Sequence, residues 1–278
     1  MDAELMLITI VRIDKGRREI LQDEVAEEIP LTLRVEGGGS DASLVACGGI
    51  WQSSLDSKAG LATLWCSPSD LEDLVIGFLY TSGVIDSPVE IKELSRRRVA
   101  GEQQYSYHVE VSVERAGGSG RVFAQSSKEL LQGGLGALAR PVASNLRVSA
   151  ELIAKLVEEF QKRSETYLRT GGTHSAALAE KESIVVFRED VGRLNAIDKV
   201  IGYLLSQGGS FEDKILITSG RISSEVVLKA GRCGIPIVVS LSAPTSQAVM
   251  LARRINLTVV GFARGARMNI YSGEERVA

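Results

Sequence analysis

Four polar stretches of this chain carry the residue types that hold anions. Thr170-Gly-Gly-Thr-His174 is followed by an apolar run, Ile184 to Phe187, which breaks into Arg188-Glu-Asp-Val-Gly-Arg193 and then Asn195. Leu194, Ile197, Val200/Ile201 and Leu204/Leu205 next take up helical spacing, so Arg188, Glu189, Asp190, Arg193 and Asn195 sit where a strand ends and a helix begins. In open α/β sheets ligands bind at such corners, because helix N-termini present free N–H groups and a positive dipole end. An ordinary solvated loop uses the same residues, and both readings stand for this corner alone. Thr218-Ser-Gly-Arg-Ile-Ser-Ser224 repeats the pattern after the next strand, and Ser242-Ala-Pro-Thr-Ser246 does so one unit later. Phe262-Ala-Arg-Gly-Ala-Arg267 then sets two guanidinia around a glycine after the last strand. Hydroxyls, glycine backbone and arginine are the groups that hold phosphate oxygens, although N-caps use some of them too. Their recurrence at strand ends favours a phosphate-bearing ligand, without a Walker or dinucleotide fingerprint.

Other chemistries have less support. Zinc needs closely spaced His and Cys ligands, and the chain has neither Cys-x-x-Cys nor His-x-x-x-His. His108 falls on the polar side of an alternating strand and reads as solvent-facing. His174 follows two glycines at a helix end, where it either bonds the last carbonyls or lines the site. Cys47, Cys66 and Cys233 are too few and too scattered for a disulfide framework. Cys66 precedes a helix N-terminus, which can stabilise a thiolate, but small buried strand cysteines are commoner. Cys233 reads as a small buried apolar group. No Gly-x-Ser-x-Gly elbow occurs, and a Ser-His-Asp triad can be assembled only on paper.

The elements that must position these residues follow from periodicity. Residues 5–13, 29–35 and 61–66 read as strands, and Ser67-Pro-Ser-Asp70 as a serine-capped start to a helix carrying Leu71, Leu74, Val75, Phe78 and Leu79. Tyr105, Tyr107, Val109, Val111 and Val113 alternate with polar residues as a half-buried strand, with 121–126 pairing back as a hairpin. Ser149 caps a long helix that Gly171 closes. Strand–helix alternation over 183–262 predicts one mostly parallel sheet, with 184–187 buried on both faces.

The totals set the frame. At 278 residues, 44% hydrophobic and 24% charged, the chain can bury one large core or two smaller ones. A formal charge of −3 gives no global attraction to nucleic acid. No targeting segment or membrane-length apolar run is evident, so a reducing cytoplasm is expected. A composition shift near residue 145 suggests a β-rich part with one capped helix over 1–145 and an α/β part over 146–278.

Together these motifs, with Ser67-Pro-Ser-Asp-Leu-Glu-Asp-Leu-Val-Ile-Gly-Phe-Leu79, Asn195-Ala-Ile-Asp-Lys-Val-Ile-Gly202 and Gly261-Phe-Ala-Arg-Gly-Ala-Arg-Met-Asn-Ile-Tyr271, resemble the formate dehydrogenase accessory protein (FdhD-like) family. The resemblance spans about Ile29 to Tyr271. It implies a cytidine-deaminase-like α/β/α core with a β-rich N-terminal extension, in a cytoplasmic homodimer. It also implies a sulfur carrier that takes sulfur from a cysteine desulfurase and passes it to the bis-guanine-dinucleotide molybdenum cofactor for formate dehydrogenase. The family's cofactor contact matches Phe262, Ala263, Arg264, Gly265, Ala266 and Arg267. Arg221, Ser219, Gly220, Arg193, Asp190 and His174 complete the expected cofactor site; no catalytic residue, zinc, nucleic acid or membrane is expected.

Two departures bear on function. The family's loop Cys-x-x-Cys, which holds the persulfide, corresponds to Ala124–Leu138, where this chain has no cysteine. A serine hydroxyl cannot replace a thiolate sulfur there. Leu194 stands where the family has histidine. The expectations are therefore sulfur transfer through a displaced cysteine, for which Cys66 is the candidate, or a non-catalytic cofactor-binding chaperone or carrier. An unrelated nucleotide-processing enzyme is the outside alternative.

Overall fold

The computed structural model describes residues 5–36, 50–53, 59–101, 105–114 and 141–278. It opens with a two-stranded ribbon, β1 (Leu5–Asp14) and β2 (Arg17–Ala26), joined at Lys15-Gly16. Both turn residues have positive φ, 47° and 83°, the backbone that two-residue hairpins require. Next come β3 (Ile29–Glu36), β4 (Ile50–Ser53), β5 (Ala59–Cys66), helix α1 (Leu71–Thr81), β6 (Ile91–Val99) and β7 (Ser106–Val113). These strands form a five-stranded sheet in the order β4-β5-β3-β7-β6. Tyr107, Val109, Val111 and Val113 face inward onto Leu74, Phe78 and Leu79 of α1, as their alternation predicts. The polar alternates of β7, His108 among them, lie on the opposite side.

The second half builds a six-stranded sheet in the order β13-β12-β11-β10-β8-β9. Its strands are β8 (His174–Glu180), β9 (Ser183–Asp190), β10 (Lys214–Thr218), β11 (Ile237–Ser240), β12 (Thr258–Arg264) and β13 (Arg267–Ser272). Helices α2 (Ala150–Lys162), α3 (Glu165–Thr170), α4 (Arg193–Ser206), α5 (Ser224–Cys233) and α6 (Ser246–Arg254) complete it. Ile197, Val200, Val226 and Leu251 of α4, α5 and α6 pack on Leu178, Leu216 and Val238. On the other face Ile153, Leu156 and Phe160 of α2 meet Ala177, Ile217 and Val239. The protein is a mixed α/β fold. Among the described residues no helix is long and apolar enough to cross a membrane.

Four expectations need correction. Strands 184–187, 215–218 and 237–239 do share a sheet, but only β10–β11 and β11–β12 pair in parallel. The pairs β8–β9, β8–β10 and β12–β13 are antiparallel. The cause is β8, whose Ser-Ala-Ala-Leu-Ala core shows no strand periodicity. It returns through a tight turn with Lys181 at φ 53°, making β9 the second arm of a hairpin rather than the start of a β–α repeat. As an edge strand, β9 alternates: Val185 is 42% exposed between buried Ile184 and Val186. The helix expected to run to Gly171 breaks at Arg163-Ser164, and Gly171 (φ 67°) closes only the short α3. Ser149 does cap α2, accepting the Leu152 N–H. Ser67 does not cap α1. That helix follows Asp70 in a left-handed conformation, while the Ser67 hydroxyl accepts the Val191 N–H and its own N–H donates to Asp190. The hairpin expected at 121–126 lies outside the described residues.

The halves meet where α1 crosses α4. A Cβ on Gly77 would lie 1.9 Å from the Asp198 carbonyl oxygen, and one on Gly202 would lie 1.9 Å from that of Asp73. Beneath the crossing, Lys229 Nζ bonds both Asp198 oxygens (2.8 and 2.9 Å) and Thr81 Oγ1 (2.7 Å).

Candidate functional site

A cavity of about 530 Å³ opens at the C-terminal ends of the parallel strands. Ser219 follows β10 there, Leu241 and Ser242 follow β11, and Arg264 ends β12. The opposite wall is the α2–α3 segment with Gln161, Ser164, Tyr167 and Leu168, and the Gly171–Ser175 stretch closes the floor. The strand-end loops brace one another. Ile222 N–H donates to Ala243 O, Thr245 N–H to Ile222 O, and Phe262 N–H to Ser242 O. Ser240 Oγ also donates to Gly220 O at 2.7 Å.

His174 lines the cavity at the head of β8, and among the described residues its ring hydrogen-bonds no helix carbonyl. Its Nδ1 is 3.3 Å from Ser219 Oγ, which also accepts the Ser175 N–H at 3.0 Å. Burial and the Arg193 guanidinium push its pKa down, so the imidazole is neutral near pH 7. Arg193 runs past Gly220, where a Cβ would stand 2.3 Å from its Cδ; glycine is therefore needed to admit the side chain. Its buried Nε has no hydrogen-bond partner among the described residues, and Nη2 reaches Ser223 Oγ only at 3.5 Å. Arg193 therefore stands behind His174 and Gly220 and does not itself line the cavity.

The rest of the expected site divides. Within 262–267, Arg264 lines the cavity, Ala263 is buried in the core, and Phe262 is 40% exposed with φ 53°. Gly265 and Ala266 form the exposed β12–β13 turn, Arg267 is exposed where β13 begins, and Arg221 is exposed on its loop. Among the described residues neither Arg264 nor Arg267 pairs with Glu274 or Glu275; Glu275 pairs with Arg276 instead. Asp190 does not face the cavity: it is fully buried, 2.7 Å from Lys199 Nζ. Arg188 bonds Asp70 and Asp73, and Asn195 bonds Trp65 O and Asp190. Gln161, Tyr167 and Leu168 carry no site signal in the sequence, because their helical spacing hides a wall made by a break between two helices, and Val191 reads only as an apolar residue within the polar corner.

The structure overturns Cys66 as a reactive thiol. It is fully buried at the end of β5, and burial first, then the Asp190 carboxylate, raises its pKa. Cys233, expected to be buried, is only partly so where it packs against the core, and desolvation raises its pKa likewise. Cys47 and the stretch 124–138 lie outside the described residues. Native alkylation of Cys66 should be at least about a hundredfold slower than in urea, since thiolate falls tenfold per unit of pKa and access is lost as well. Comparable native and unfolded rates, followed by peptide mass spectrometry, would show an accessible thiol.

The fold and cavity define a mixed α/β protein with a cleft at its parallel strand ends. The family model described as the FdhD/NarQ family matches residues 52–278. The protein named sulfur carrier protein FdhD of Listeria monocytogenes serovar 1/2a is 36% identical over 274 residues, covering 96% of this chain and 97% of that one. Its namesake in Bacillus subtilis strain 168 is 34% identical over 281 residues, covering 96% and 95%. A crystal structure of a formate dehydrogenase accessory protein from Desulfotalea psychrophila superposes with a TM-score of 0.74 at 26% identity, covering 99% of this chain and 100% of that one. The chain belongs to the FdhD/NarQ family.

Proposed function

We propose that this protein is a sulfur-carrier-type accessory protein for formate dehydrogenase, and that its cavity receives a guanine-nucleotide end of the bis-guanine-dinucleotide molybdenum cofactor. The observation that carries this reading is the cavity itself, with Arg264, Ser219, Ser242 and neutral His174 at the strand ends. Arg264 would donate charge-assisted hydrogen bonds to phosphate oxygens, the hydroxyls would add neutral ones, and the exposed flanks of Tyr167 and Leu168 would cover the ring. Family membership supports the same reading. We further propose a cytidine-deaminase-like core, a cytoplasmic homodimer, and transfer partners in a cysteine desulfurase and formate dehydrogenase. Residues 1–145 and 146–278 would act as its two parts, one around each of the larger sheets.

The carrier form, in which the protein binds the cofactor without holding the persulfide, is favoured by two observations. Residues 124–138 contain no thiol, and Cys66 is sealed in the core. A desulfurase-dependent persulfide trapped on any cysteine of the purified protein would restore the transfer form.

GDP titrated calorimetrically tests the site. Arg264→Ala should weaken binding by about 1.5–3 kcal/mol, the range for hydrogen bonds to charged groups. Arg267→Ala, exposed at the start of β13, should cost only about 0–1 kcal/mol. Absence of wild-type binding at millimolar GDP, or equal binding by wild type and Arg264→Ala, rules the cavity out as the nucleotide site.

A further inference from the structure

Glu189 belongs to the polar corner that the sequence marks, and its carboxylate reaches α3. That helix is six residues long, too short to be stable alone. Its own N-cap does not cap it: the Ser164 hydroxyl lies 3.3 Å from Phe160 O and 2.9 Å from Ser175 Oγ. The free N–H groups of Thr166 and Tyr167 donate instead to the Glu189 carboxylate, each at 2.9 Å. The oxygen that takes the Tyr167 N–H also accepts the Thr173 hydroxyl at 2.9 Å. One carboxylate on β9 thus caps α3 from outside and ties it to the residue before His174. At the far end Arg169 bonds Glu24 of β2, and Gly171 ends the helix in a left-handed turn. Between these tethers Tyr167 and Leu168, 50% and 69% exposed, form one cavity wall.

We infer that Glu189 is a positioning residue for the cavity: by capping α3 in trans it fixes the Tyr167–Leu168 wall against His174 at the spacing a ligand needs. This rests on reading the cavity as a nucleotide site. The carboxylate itself touches no ligand. It accepts from both the α3 wall and the Gly171–Ser175 floor, so its loss lets the helix fray while the two main cores stay packed.

Glu189→Gln keeps the shape but turns one acceptor oxygen into an N–H₂ donor facing donors. Amide exchange at 166–170 should speed up, and GDP should bind more weakly, each by about tenfold or more, as expected when a charged acceptor is lost. Glu189→Asp, which keeps the charge on a shorter arm, should recover part of both. Exchange in β10 and β11 should not change. Arg264→Ala should weaken GDP with exchange at 166–170 unaltered, which separates the two claims. If wild type binds GDP, Arg264→Ala weakens it and Glu189→Gln binds as wild type does, the positioning role is wrong while the site stands. Unchanged exchange at 166–170 in Glu189→Gln overturns it whatever the affinities. If wild type binds no GDP, both the site and the role fall.

Discussion

Gly77→Ala is expected to destabilise the protein by about 3 kcal/mol, and Gly202→Ala by a similar amount, the upper range for overpacking a close contact. Helix propensity alone predicts the opposite sign, since Ala is favoured over Gly by about 1 kcal/mol in a helix interior. The geometry decides which effect wins. Each added Cβ would meet a backbone carbonyl oxygen of the other helix at 1.9 Å, and a carbonyl cannot escape by changing rotamer. The helices must separate, and that loosens what lies beneath them. Lys229 reaches from α5 to Asp198 on α4 and Thr81 on α1, with both charged groups nearly buried. Burial raises the Asp198 pKa against the pull of Lys229, so water entering a widened crossing changes the balance of that pair too. Urea unfolding reads the result as a lower midpoint with an unchanged slope. Stabilisation by either variant would mean that the crossing is looser than its backbone distances state.

What the sequence disclosed, and what it hid, follows from where the information sits. Strand β7 and helix α2 were legible because their apolar residues repeat at periods of two and 3.6 against one flat core each. Strand β6 was not, since Arg96-Arg97-Arg98 interrupts any apolar alternation. In the fold it is an edge strand, where Arg96 and Arg98 lie over the rings of Tyr107 and Tyr105. At the site, Ser219, Ser242 and Arg264 could be found because a hydroxyl or guanidinium at a strand's C-terminal end needs only local context. The partners of Arg188 and Asp190 are not legible, because tertiary structure sets them, and Asp190 is an ion-pair residue and not the cavity residue the sequence suggests. Asp73 lies 115 residues from Arg188, and Ser67 lies 123 from Asp190. The wall of Tyr167 and Leu168 exists only because α2 stops at Lys162, and the sequence marks that break weakly, by Ser164, an N-cap residue type that a helix interior also tolerates.

Lys199→Met is expected to cost about 3–5 kcal/mol, the range for stranding one charge of a buried pair. Lys199 and Asp190 are both fully buried, with Nζ 2.7 Å from Oδ2. The ammonium also lies near Ser67 O (3.4 Å) and Glu189 O (3.3 Å). The carboxylate also accepts the N–H groups of Ser67 (3.1 Å) and Gly192 (2.7 Å) and the Asn195 amide (3.0 Å). Those donors soften the loss of the lysine but do not neutralise the carboxylate. Asp190→Asn should therefore cost a similar amount, and the double variant less than the sum of the two, because it leaves no buried charge. Additive costs would show that the pair is not the unit of stability. The same substitution reaches the cavity through His174. Burial and Arg193 lower that imidazole's pKa, while Asp190 opposes them. Removing the Asp190 charge should lower it further. The sign for stability is fixed: below the unfolded value near 6.5 the unfolded chain binds the proton more readily than the folded one, so stability falls as pH drops through that window. Asp190→Asn should widen the window toward lower pH. A His174 titration by NMR, run on both proteins, should place the variant's pKa below that of wild type; an equal or higher value would mean that Asp190 does not act on the cavity at all.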